Sequence, residues 1–214
     1  VEYAAQLDYL WPWFVFGDTT FRPAFGLSAT QYRSFDATTA SMYLSWEKKL
    51  IRRPELAATL TYSLEQISQK NASFAADNQD LTIGAITPGI RLDTRDNPLS
   101  PTRGWYSAAS LEIASPYLGS QVNPFPIGYG RFQLRTDKFI PLGDATTLYL
   151  SFRTGFERST QNPTDIEGSG AIPLIKQFAL GGAGSLRGFR DQEISRRETS
   201  VRGTLSYTNY RAQI

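Results

Sequence analysis

The chain of 214 residues contains no cysteine and no histidine. Without cysteine there is neither a disulfide framework nor thiolate chemistry, and without histidine the commonest general base and metal ligand is missing. Those two absences remove most hydrolytic triads, so the chain is not expected to be an enzyme, and no catalytic residue, metal site or cofactor is expected. A long apolar run is also lacking: no stretch approaches the roughly 18 residues that mark a helical membrane span. Val1 is followed by no charged-then-apolar leader, so the chain is expected to be an internal piece of a longer protein. The formal charge is only +2, with no concentrated basic patch to grip phosphates, so nucleic acid is not an expected partner.

What the sequence does have is a two-residue period. Phe21, Pro23, Phe25, Leu27 and Ala29 alternate with Arg22, Ala24, Gly26, Ser28 and Thr30, and Ala40, Met42, Leu44 and Trp46 alternate with Ser41, Tyr43, Ser45 and Glu47. Only extended strands use such a period. Nine strands are predicted on this pattern. In the fifth, the apolar set Leu81, Ile83, Ala85 gives way to Ile86, Pro88, Ile90, Leu92 on the opposite parity, which predicts a bulge near Ala85. Mean hydropathy of -0.32 suits a soluble protein, but a barrel alternating lipid-facing and water-facing residues has the same average.

Two patterns favour the all-β transmembrane antiparallel barrel over a soluble sandwich. Short connections (17–20, 50–54, 94–104, 143–145) alternate with long ones (68–79, 115–128, 158–200), so that each kind collects on one rim, with only 33–37 a weak member of the long set. All four tryptophans, Trp11, Trp13, Trp46 and Trp105, fall at strand ends beside short turns, where a membrane-interface girdle belongs. The polar faces carrying Glu47, Lys49, Glu65, Glu112, Arg131, Arg135, Asp137 and Arg153 would line a wet lumen in a barrel and a solvated surface in a sandwich.

Two motifs stand out. The first is Arg91-Leu-Asp-Thr-Arg-Asp-Asn-Pro-Leu-Ser-Pro-Thr-Arg-Gly-Trp105, in which Asp93, Arg95, Asp96, Asn97, Pro98 and Gly104 are turn chemistry; a structural turn is favoured over a direct binding contact. The second is Phe178-Ala-Leu-Gly-Gly-Ala-Gly-Ser-Leu-Arg-Gly-Phe189, where Gly181, Gly182, Gly184, Ser185, Leu186, Gly188 and Phe189 surround one charge, Arg187. It is no phosphate-binding loop, because the lysine and following helix are missing. A fixed charge in a tight, partly apolar loop calls for an acidic partner; a flexible surface loop is the plainer alternative.

The ordered pair of motifs resembles the BamA superfamily of outer-membrane assembly and secretion barrels, and the resemblance covers most of the chain, with Leu186 standing where valine is usual. It implies a barrel of about sixteen strands, of which residues 1–214 supply a part, with loop 158–200 folding back into the lumen and POTRA domains lying outside this chain. It also implies that Arg187 pairs with lumen-wall acids beyond Ile214, with Phe189 packed beside it. The implied function is non-enzymatic folding and insertion of unfolded β-barrel clients into the outer-membrane lipid bilayer by strand templating at a lateral seam, with periplasmic or lipoprotein accessory subunits as partners. A two-partner secretion pore and a passive outer-membrane channel remain alternatives.

Overall fold

The computed structural model describes residues 2–12, 14, 19–31, 36–52, 54–71, 78–123, 125–143, 146–160, 172–178 and 207–212. Among these residues the alternating segments form nine strands: β1 (Glu2–Asp8), β2 (Thr19–Gln31), β3 (Asp36–Arg52), β4 (Glu55–Lys70), β5 (Asp80–Asp93), β6 (Gly104–Ala114), β7 (Tyr129–Pro141), β8 (Thr146–Ser159) and β9 (Tyr207–Ala212). They lie in one sheet in the order β1 to β9, every neighbouring pair antiparallel. Each of β2 to β8 therefore has a strand neighbour on both sides, although β8 meets β9 only over Thr146–Ser151 and β5 meets β6 only from Ala85 to Asp93.

Because side chains alternate, register sorts the sheet into two faces. Phe25 faces Met42, Trp46 faces Leu60, and Leu111 faces Phe132, so one face is a continuous apolar band. It is also uncovered: Leu27 is 64% exposed, Phe25 54%, Phe156 51% and Ile90 49%. No second sheet packs on it among the described residues, which removes the sandwich reading. An apolar surface of this extent belongs against lipid. The other face carries the charged residues, and segments from the loops lie across it.

The predicted bulge near Ala85 is not formed. Pairing of β4 with β5 runs unbroken from Glu55↔Asp93 to Ser68↔Asp80, and Ala85 and Ile86 meet Ala114 and Ile113 in one register. The apolar residues change parity because the surroundings change. Leu81, Ile83 and Ala85 point inward, where they pack with Ile67, Ala114, Ile127, Tyr129 and Ile172 in a buried cluster, while Ile90 points out to lipid. The irregular register lies instead between Lys49 and Ile51. The long connection predicted to begin at residue 68 starts later, because β4 continues to Lys70 and the Gln69 N–H donates to the Gln79 carbonyl at 2.9 Å. In β1, regular pairing ends at Asp8 and resumes as a single bridge between Trp11 and Phe21.

The connection after β6 folds over the outer face as a hook. Ser115 caps a 3-10 turn, Pro116–Leu118, and Gly119 ends it at φ 99°. The Ser115 N–H donates to the Gly84 carbonyl and the Gln121 N–H to the Thr82 carbonyl, so the excursion leaves and rejoins the edge of β5. The Leu118 carbonyl accepts from the Tyr62 hydroxyl at 3.0 Å and sits over Gly84, where a Cβ would come within 2.0 Å of it.

Candidate functional site

The inner face is not an open wall. Residues 172–178, which run into the first residue of the glycine-rich motif, form a strap across β4 to β8. Ile172 is buried in the apolar cluster, and a 3-10 turn, Leu174–Lys176, closes with the Lys176 N–H donating to the Pro173 carbonyl at 2.9 Å. The Gln177 amide donates back to the Ile172 carbonyl at 2.8 Å. This compact turn presents Lys176 to the wall.

Lys176 Nζ stands 2.7 Å from Glu65 Oε1 on β4 and 3.6 Å from Glu112 Oε1 on β6. Arg131 on β7 completes the set, holding Glu112 at 2.9 Å through Nη2 and donating through Nη1 to the Lys176 carbonyl at 2.8 Å. Two tyrosines share the Oε1 atoms that Lys176 contacts. Tyr129 donates to Glu112 at 2.6 Å and Tyr43 to Glu65 at 3.1 Å. These side chains are shielded, with Glu65 8% exposed and Lys176 13%. Two carboxylates face two cations, and a balanced, hydrogen-bonded cluster is the condition under which charges tolerate burial. At the end of the strap the Phe178 N–H donates to buried Glu157 at 3.1 Å. The Phe178 ring lies under the Arg131 guanidinium, 5.6 Å away, and against Gly155, whose missing side chain makes room for it.

Nearer the short connections the inner face carries further ion pairs. Arg91 bridges Glu47 at 3.1 Å and Glu55 at 2.7 Å, and Asp137, nearly fully buried, accepts from Arg135, Tyr149 and Ser151. A cavity of about 510 Å³ lies between this region and the strap, lined by Arg91, Gln133, Arg135, Arg153 and Phe178 among others. The polar residues expected to line a wet lumen thus form bonded clusters.

Residues 94–103 form a rigid turn. Asp93 binds Arg95 through both oxygens, at 2.6 and 2.9 Å, and Arg95 also donates to the Pro98 carbonyl at 3.2 Å. Asp96 accepts the N–H groups of Asn97, Thr102 and Arg103 and the Thr102 hydroxyl. That hydroxyl, followed by the backbone donors, holds the Asp96 carboxyl down at about 2. Asn97 accepts from Leu99 N–H at 2.9 Å. Gly104 closes the loop at φ 111°, with the Thr94 carbonyl where a Cβ would be. Every side-chain partner named for Asp93, Asp96 and Asn97 is within the turn itself.

Trp11, Trp46 and Trp105 all lie toward the short-connection rim. Trp46 stacks on Phe21 at 5.1 Å, Phe21 packs on Phe14 and Phe14 on Trp11, while Trp105 lies under Lys138 Nζ at 4.0 Å. Trp13 lies outside the described residues, as do Gly181, Gly182, Gly184, Ser185, Leu186, Arg187, Gly188 and Phe189. Sequence reasoning placed Glu65, Glu112 and Arg131 on the inner face and Phe178 at the head of the glycine-rich motif but missed Lys176 and Gly155. The available signal was a single lysine in the apolar run Ile172-Pro-Leu-Ile-Lys-Gln-Phe178.

A sequential antiparallel sheet with one uncovered apolar face and one charged face crossed by its own loop defines part of a transmembrane β-barrel. The sequence matches the Omp85 superfamily domain over residues 2–212, and the chain belongs to that superfamily. Among solved structures it is similar to BamA from Haemophilus ducreyi lacking POTRA domains 1-3, with a TM-score of 0.69 at 14% identity over 91% of this chain. The chain spans 39% of the length of that BamA chain. No curated protein sequence matched it.

Proposed function

We propose that this chain is part of the wall of an outer-membrane assembly factor that folds and inserts β-barrel clients by strand templating at a lateral seam. The observation that supports this reading over a passive channel is the strap. A diffusion pore needs an open bore, whereas here the inner face of β4 to β8 is occupied by the chain's own residues 172–178 through ion pairs and apolar contacts. Residues 1–214 are read as one barrel domain within a closed barrel of about sixteen strands, preceded by POTRA domains, with periplasmic or lipoprotein accessory subunits as partners. Trp11, Trp13, Trp46 and Trp105 anchor the wall at the membrane interface. Residues 94–104, with their self-contained bonding, serve as a structural turn on the periplasmic side. Arg187 turns into the lumen and pairs with an acid on a later strand.

Templating needs unpaired backbone groups. Strands β2 to β8 have none to offer along their paired lengths, so the client site falls at the first and last strands of the complete barrel. Engineered disulfides test this in the full-length protein. Ala58 and Ile90 are directly opposed on β4 and β5, and a cysteine pair there should leave client insertion into proteoliposomes intact, whereas a lock across the terminal seam should stop it. Equal block by the internal lock, in a barrel that still migrates as folded, would refute seam templating.

A further inference from the structure

We infer that Lys176 is a positioning residue that fastens the start of the glycine-rich motif to the β4–β8 wall, independently of Arg187. The inner wall holds Glu65 and Glu112 in shielded positions, and among the described residues the wall itself supplies one cation to this pair, Arg131, which is bonded to Glu112. The charge that balances Glu65 comes from the strap, because Lys176 Nζ is its partner at 2.7 Å and Tyr43 adds only a neutral donor. Withdrawing the strap therefore leaves a poorly compensated carboxylate in a shielded site, a costly state. The strap's carbonyl at Lys176 and N–H at Phe178 are also taken up by Arg131 and Glu157. Three strands, β4, β7 and β8, each hold the strap by a charged group, and β6 adds the longer Glu112 contact.

This arrangement fixes Phe178, the first residue of the motif. Arg187 is nine residues further on and reaches no more than about 30 Å from that anchor even fully extended. The loop base thus belongs mechanically to this part of the wall, whatever its tip contacts. Only the consequence for client assembly rests on the function proposed above; the anchorage does not.

The test uses the full-length protein in liposomes, with Ile172→Cys as a reporter. Ile172 is buried against the wall, and this chain has no cysteine of its own. Labelling by a soluble maleimide should be at least roughly tenfold faster in Lys176→Met than in the parent. Because the effect is one of charge, Lys176→Met with Glu65→Gln should return labelling to within about twofold of the parent. Parent-like protection in Lys176→Met, or no rescue by Glu65→Gln, overturns the inference. If Lys176→Met gives no heat-modifiable folded band, the double variant decides alone: folded and protected upholds the anchor, unfolded or unprotected overturns it. Client insertion is measured in parallel. Loss of protection with undiminished insertion leaves the anchor standing and counts against the assembly reading.

Discussion

Gly155 determines how close Phe178 can come to the β8 wall. A Cβ built there would lie 2.2 Å from the ring, so Gly155→Ala must displace the aromatic side chain and weaken the Glu157 hydrogen bond beside it. The expected outcome is faster maleimide labelling at position 172, by several-fold, and little further effect of the same change in a Phe178→Ala background, where the clash is gone. Asp96 is the second decisive side chain. Its folded pKa is depressed to about 2 from an ordinary value of 3.8, so it contributes stability above the ordinary value and loses it as pH falls through the folded one. The turn should therefore hold its Thr102 and Arg103 amide shifts between pH 7 and pH 5 and lose them only on strong acidification. Asp96→Ala should loosen the turn at neutral pH more than Asp96→Asn, which keeps one acceptor; equal amide shifts in both would exclude this role. The turn was legible in the sequence because its donors and acceptors are near neighbours. Lys176 was not, because its partner is 111 residues away and nothing local distinguishes an anchoring lysine from a solvated one.

At the scale of elements, the strands could be read directly, since an outer face in lipid and an inner face of charge write the two-residue period into the chain. The reading failed where that contrast fades. Around Ala85 the inner face becomes apolar beneath the loops, and a change of environment looked like a slip of register; at Ser68 to Lys70, a strand whose outer side is polar looked like a loop. The hook over β5 was likewise hidden, because a glycine inside a strand does not reveal what covers it. Gly84→Ala would drive a methyl group into the Leu118 backbone. We expect it to cost about 1–3 kcal/mol in denaturant unfolding from lipid vesicles, with loss of the Tyr62–Leu118 hydrogen bond. A cost below a few tenths of a kcal/mol would show that the hook swings freely. Tyr117, fully exposed at its crest, should change stability little when replaced by serine.

For the molecule as a whole, the two faces make opposite predictions for the same substitution. Leu111→Lys, mid-strand on the outer face, should destabilise the barrel in lipid by about 2–4 kcal/mol. Gln133→Lys, on the inner face beside the cavity, should cost far less; equal costs would mean that the faces are wrongly assigned. The order of the sheet carries a further consequence, in time rather than in space. Strands that pair only with their neighbours in sequence can be laid down one hairpin at a time, each closing a modest loop. The strap cannot follow that schedule, because Lys176 meets a residue 111 positions earlier and needs β4, β6, β7 and β8 already side by side. Its closure is therefore a late event in folding, and a nascent barrel with a misplaced strand would lack the seat that receives it.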